Sequence, residues 1–199
     1  MSLLRRYRAT GADLPFGDPL PAHGVAMEGY FLRVSDRERG RVVIALIGVN
    51  RGPDGHWATL GLASDEVIPA DGADGSRRAG DGSTSSSSGV LSSLRLAAAP
   101  RGWADPDRLG ARSGDLFEYR PDGVRVDLGP GARLHVEITD PVGWPRRAVG
   151  GSSVFQSVPA LNQYWHPWLL GGKARGWAEV DGRRWEFDAA DVYGEENWG

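Results

Sequence analysis

Residues 27–62 read MEGYFLRVSDRERGRVVIALIGVNRGPDGHWATLGL, and the placing of apolar and turn residues in them decides the fold. Residues 27–34 and 41–49 are short, apolar, partly alternating runs joined by the charged turn 36–40. Asn50, Arg51, Gly52, Pro53, Asp54 and Gly55 form a second turn, and residues 56–62 make a third run. Runs of this length, rich in β-branched and aromatic residues and bounded by Gly, Pro and Asp, read as strands. Three strands with short links make an antiparallel meander, because a parallel pair needs a crossover segment and these links have no room for one.

The pattern recurs outward from the meander. Residues 90–96 are strand-like, and residues 116–119 and 124–128 flank the turn Arg120, Pro121, Asp122, Gly123. Leu134, Val136 and Ile138 alternate with His135, Glu137 and Thr139, so one of these faces meets the core and Glu137 points to solvent if that face is the apolar one. Residues 176–180 and 184–187 flank Asp181 and Gly182, a strong hairpin signal, and Val192 opens a last short strand. Helix is expected only in short pieces near 105–109 and 161–170. The expectation is an all-β fold of nine or ten antiparallel strands, a barrel or sandwich, in a single domain over residues 1–199. Residues 64–89 lose the pattern and are dominated by Gly, Ser and Asp, with four serines at 85–88. So little apolar surface does not offset ordering entropy, and the stretch is expected to be a mobile, inserted loop.

Composition narrows the function classes. A chain of 199 residues buries one sizeable core, and 29 Gly with 13 Pro agree with a turn-rich β protein. A net charge of −3 gives no bulk attraction to nucleic acid. Arg5, Arg6 and Arg8 read as a solvated tail, and Arg146 and Arg147 as a solvated loop. The absence of cysteine excludes disulfides, thiolate catalysis and Cys-ligated metal. His23, His56 and His135 are scattered without ligand spacing, so no metal is expected. Gly171, Gly172 and Lys173 lack the spacing and following helix of a phosphate loop and read as a turn. Residues 1–9 carry no secretory apolar run, and a cytoplasmic location is expected, with peripheral membrane contact through an apolar rim if the ligand is a lipid.

The most distinctive sequence lies near the end: Gln156, Ser157, Val158, Pro159, then Leu161, Asn162, Gln163, Tyr164, Trp165, His166, Pro167, and later Gly176, Asp181, Gly182, Trp185, Phe187, Val192, Tyr193, Glu195, Asn197, Trp198, Gly199. Together with Glu28, Gly29, Tyr30, Phe31, Arg33 and Val34 near the start, this resembles the tocopherol cyclase-like family, which is more distantly similar to carotenoid hydratases and other lipocalin-related double-barrel proteins. The resemblance implies an antiparallel lipocalin-like barrel, or half of a double barrel. Members are longer, and this tail motif joins a first barrel-like half to a second, so the chain corresponds to the first half. A cleft between halves is then expected to be completed by a second copy, as a homodimer. Two residues depart from the family pattern: Glu196 stands where Lys is usual, and Gly194 where Ala is usual.

The resemblance further implies acid-initiated cyclisation of a prenylated quinol, or hydration of an isoprenoid double bond, with no organic cofactor. Such chemistry needs a carboxylic acid that keeps its proton, aromatic faces beside a developing carbocation, and control of water. The candidate catalytic residues are Glu28, Glu195 and His166. The candidate ligand-binding residues are Tyr30, Tyr164, Trp165, Trp185, Tyr193, Asn197 and Trp198, with Asn197 placed to hold a quinol oxygen. Each also has a structural reading: Glu28 as a buried acid paired with Arg33 or a backbone group, His166 as a hydrogen bonder among rings, and the Glu195–Trp198 group as a tie to the segment around Asn162. Two other functions compete: a non-catalytic lipocalin-like carrier of a hydrophobic ligand, and a structural module whose aromatic tail packs on another chain.

Overall fold

A computed structural model of the chain describes residues 2–15, 17–68, 89–145 and 150–199. Most of the low-complexity stretch expected over 64–89, together with Arg146 and Arg147, lies outside the described residues; residues 64–68 and Gly89 are strand rather than loop.

A six-residue helix α1 (Leu3–Arg8) precedes twelve strands: β1 (Met27–Asp36), β2 (Arg41–Gly52), β3 (Gly55–Ile68), β4 (Gly89–Ala99), β5 (Trp103–Ala104), β6 (Ala111–Ser113), β7 (Phe117–Arg120), β8 (Gly123–Asp127), β9 (Ala132–Val142), β10 (Tyr164–Leu169), β11 (Gly171–Val180) and β12 (Arg183–Trp198). A turn of 3-10 helix covers Ser153–Ser157. The strands form one sheet in the order β4-β3-β2-β1-β12-β11-β9-β8-β7-β6-β5, with β10 also paired to β12. Every pair is antiparallel. The sheet curls into a half-barrel: Tyr119 on β7 donates a hydrogen bond of 3.0 Å to the Phe31 carbonyl on β1, five places away in the strand order.

The predicted all-β architecture and the opening meander are both present. Side chains of one parity fill the concave side: Tyr30, Leu32 and Val34 from β1, Val43, Ala45, Ile47 and Val49 from β2, Leu60 and Leu62 from β3, and Leu134 and Val136 from β9. Phe117, Tyr119 and Trp185 add the largest buried rings. Burying each large apolar side chain contributes about 1.5–3 kcal/mol, which is what holds so non-local a sheet closed.

Both helical expectations fail. Residues 105–109 form bends in which the Asp105 carboxylate accepts from the Asp107 backbone N–H (3.0 Å) and from Arg108 (3.0 Å), a local polar turn competing with helix. Within 161–170 the chain is strand β10, where Tyr164 and His166 are buried while Trp165 is exposed, a period of two that Pro167 hides from a sequence reading. The short last strand expected from Val192 is instead the end of one sixteen-residue strand, β12.

The segment between α1 and β1 runs across one end of the barrel as a strap. Asp13 N donates to Gln156 O (2.7 Å), Ala22 N to Asp105 O (2.7 Å) and Ala160 N to Thr10 O (3.2 Å). Met27 and Gly199 exchange two backbone bonds of 2.9 and 3.0 Å. Arg8, expected in a solvated tail, is drawn in: it bonds Asp13 Oδ2 (3.1 Å) and Pro21 O (2.6 Å).

Candidate functional site

Strands β1, β12 and β10 lie side by side, and their registers decide which motif residues meet. Glu28 is opposite Trp198 and Tyr30 opposite Glu196; Trp198 is in turn opposite Tyr164, and Glu196 opposite His166. Alternation sends all six of these inward and sends Phe31, Tyr193, Glu195, Asn197 and Trp165 outward. The motif is therefore split by the sheet itself. Trp185 belongs to neither group, since it lies thirteen residues back along β12 in the core, beneath the guanidinium groups of Arg41 (5.1 Å) and Arg183 (5.6 Å).

On the inner side Trp198 is held between two flat partners. The His23 ring stacks on it at 4.3 Å and 9°, and Tyr164 at 5.6 Å and 8°. Its indole N–H donates to Gly11 O in the strap (2.7 Å). The Tyr164 hydroxyl donates to Val158 O (2.6 Å) and accepts from Leu161 N (3.0 Å). Glu28, fully buried, accepts from Gly24 N (2.6 Å) and from Arg51 (3.1 Å) rather than from Arg33. Asp13 meets His23 Nε2 at 3.1 Å. Burial raises the Asp13 carboxyl, but the His23 hydrogen bond and the Arg8 charge outweigh it and hold it below the usual range. Burial pushes the His23 imidazole down.

Glu196 is different. It is fully buried, and the polar group that faces it across the strands is the hydroxyl of Tyr30, whose interaction with the carboxyl is too weak to offset burial. Burial first, and the Glu28 charge second, push this carboxyl well above its ordinary value. Both causes favour the protonated form over the charged one. The strap is bonded over this end of the barrel, with Trp198 Nε1 donating to Gly11 O.

The outer side carries a groove of about 330 Å³. It runs across the strands along one register row, Asn197–Gly29–Gly48–Thr59, whose two glycines form a floor without side chains. A Cβ on Gly29 would come within 2.5 Å of Asn197 Oδ1, so glycine is what lets the Asn197 amide lie over β1. A Cβ on Gly48 would meet nothing closer than 3.9 Å. The neighbouring row Glu195–Phe31–Leu46 makes one wall, and Met27 with Asn50 the other. This second row continues through Gly61 to the exposed Leu96 on β4, an apolar track four strand spacings, or about 19 Å, long beside the glycine floor.

The polar end of the groove is built on Glu195. Trp165 Nε1 donates to its Oε2 at 2.8 Å and the Tyr193 hydroxyl to the same oxygen at 2.7 Å. Among the described residues both of its hydrogen bonds fall on Oε2, which leaves Oε1 for a ligand. Burial, and then the bond to Glu195, raise the Tyr193 phenol above its ordinary value. Arg33 lies over the Tyr193 ring at 5.6 Å and Phe31 meets its edge at 6.4 Å. A carboxyl, an amide and three aromatic rings thus head an apolar track. The larger cleft of about 800 Å³ lined by Asp105, Arg108, Glu118, Arg120 and Asp122 is walled by charge and does not suit an apolar ligand.

Of the residues named from sequence, the structure gathers Trp165, Tyr193, Glu195 and Asn197 outside, and Glu28, Tyr30, Tyr164, His166 and Trp198 inside. The groove's floor and apolar wall, Gly29, Gly48, Phe31 and Leu46, were not assigned from sequence. The available signal was a glycine inside each of two adjacent strands, which marks close approach by another group.

Comparison with known proteins finds partial matches. Over 43 residues it is 44% identical to a protein of Oryza sativa subsp. japonica described as probable tocopherol cyclase, chloroplastic, covering 22% of this chain and 9% of that protein. Over 114 residues it is 42% identical to tocopherol cyclase, chloroplastic, of Zea mays, covering 50% of this chain and 24% of that one. The chain thus spans a quarter or less of the length of these curated relatives. No family model and no solved structure matches. The relationship is a distant tocopherol cyclase-like one. Among the described residues no helix is long and apolar enough to cross a membrane.

Proposed function

We propose that the chain is a tocopherol cyclase-like protein that seats a prenylated quinol, or a related isoprenoid, in the outer groove and starts cyclisation by protonating a carbon–carbon double bond. The observation that carries this reading is the groove itself: a carboxyl and an amide at one end, a floor of Gly29 and Gly48, and an apolar wall of Phe31 and Leu46 beside it. The quinol head lies against Asn197 and Glu195, and the prenyl chain along Phe31, Leu46 and Leu96.

The step balances without a cofactor. Glu195 Oε1 delivers a proton to the less substituted carbon of the double bond. The quinol oxygen bonds to the other carbon and its own proton returns to Glu195. An apolar ligand over the groove excludes water. The rings of Trp165, Tyr193 and Phe31 face the carbon that gains positive charge. Trp165 and Tyr193 fix Oε2, so that Oε1 is the atom that exchanges the proton.

A second reading, a non-catalytic carrier, uses the same groove with Glu195 as a hydrogen-bond acceptor only. One experiment separates the two. A polyprenylated hydroquinone is titrated into the wild type, Gly48→Leu and Glu195→Gln, binding is read by tryptophan fluorescence, and the ring-closed product by mass spectrometry. Gly48→Leu fills the floor without strain and is expected to lose binding at least about tenfold while keeping its melting temperature. Glu195→Gln is expected to bind but not convert. Binding without conversion by the wild type favours the carrier; absence of binding overturns both.

A further inference from the structure

The two ends of the sheet are unlike. One end is β5, only two residues long, which offers almost no edge. The other is β4, eleven residues that pair with β3 on one side and with nothing on the other among the described residues. Long edges are ordinarily protected by prolines, charges or cover, because their unpaired N–H and C=O groups recruit another strand. β4 has no proline and a single charged residue, Arg95. Val90, Leu94 and Leu96 on its outer face are exposed by 60% or more.

We infer that the free edge of β4 is an interface for a second copy of this chain, paired antiparallel about a two-fold axis through Leu94. Opposed residues in an antiparallel pair point to the same face, so a two-fold axis normal to the sheet falls on a residue and not between two. Charge then selects the residue. An axis at Arg95 opposes two guanidinium groups. An axis at Ser93 sets Arg95 opposite Leu91, and one at Ser92 sets it opposite Gly89. With the axis at Leu94, Arg95 faces Ser93 of the second copy. The Ser93 hydroxyl donates to Asp181 Oδ1 at 3.1 Å, so Arg95 gains a carboxylate, twice over by symmetry. Among the described residues Arg95 makes no ion pair within its own chain, and Leu94 meets Leu94 on the outer face. Such an interface is isologous and closes at two copies rather than growing into a fibre.

Because the chain has no cysteine, single thiols report this register directly. Sedimentation is expected to give twice the chain mass. Leu94→Cys, at an exposed position that does not disturb folding, is expected to be linked to itself by a short bifunctional thiol reagent. Leu96→Cys is expected to link only when mixed with Ser92→Cys, its opposite number in this register. Arg95→Asp is expected to weaken the dimer at least about tenfold. A monomer at all concentrations, a dimer whose Leu94→Cys form does not link, or self-linkage of Leu96→Cys alone would each overturn the interface.

Discussion

Glu196 is a carboxyl whose charged form the fold disfavours. Its neighbours are Tyr30 and Glu28 on β1, His166 on β10, and Arg8 and Asp18 from the strap side. A carboxyl raised in the folded state contributes stability that is complete below its unfolded value near 4.5 and is lost as pH rises through the folded value. The wild type is therefore expected to lose ground to Glu196→Gln as pH rises above the unfolded value of 4.5, by up to about 1.4 kcal/mol per pH unit, in urea titrations. His23 acts with the opposite sign, since a lowered imidazole costs stability as pH falls below its unfolded value of 6.5. Both proteins carry His23, so the difference between them isolates Glu196. A gap that does not widen with pH would mean that Glu196 is charged in the native state. Trp198, flanked by His23 and Tyr164, is a second residue-scale test: Trp198→Ala is expected to cost about 3–5 kcal/mol in the same titration.

Among elements, the strap is tied at several points, and its closest approach to the rings of Tyr164 and Trp198 is made at Gly11. Gly11 has φ +86°, and a Cβ there would fall inside the Tyr164 ring. Gly11→Ala is expected to lift the strap from Trp198 and Tyr164 and to weaken their near-ultraviolet dichroism, with the far-ultraviolet spectrum kept; unchanged ring signals would show that the strap adjusts. Legibility followed the same boundary between local and non-local information. Strands β1 to β3 were readable because their apolar runs and Gly/Asp turns are local, and the turns at Gly123 and Gly182 for the same reason. β5 and β6 are too short to carry a period. β10 hid behind Pro167, and the bends at 105–109 behind a carboxylate that competes with helix. The site was legible only as a list of residues. Which of them share a face depends on the β1–β12 and β10–β12 registers, and these pair residues more than a hundred positions or about thirty positions apart. One such register separates Glu195, which heads the groove, from Glu196, which does not reach it.

At the scale of the whole molecule, the sheet is two antiparallel runs, β1–β4 and β5–β9 with β11, joined through β12, on which β10 also pairs. The interior ties them further. Arg41 on β2 and Arg183 on β12 both pair with Glu66 on β3, and both lie over Trp185. Neither run has a core that closes without the other. Tryptophan fluorescence and far-ultraviolet dichroism are accordingly expected to report one coincident unfolding transition in denaturant. Two separated transitions would show that the runs are independent units.

The place of β12 at the centre of the sheet also has a consequence for how the molecule is made. A ribosome delivers β1 first, with two long edges, yet its permanent neighbour on one side is a strand more than a hundred and fifty residues later in the message. Through most of synthesis the nascent β1 therefore presents an open edge and a bare apolar face. Chaperone capture at that stage, rather than the stability of the finished fold, is expected to set how much protein a cell recovers.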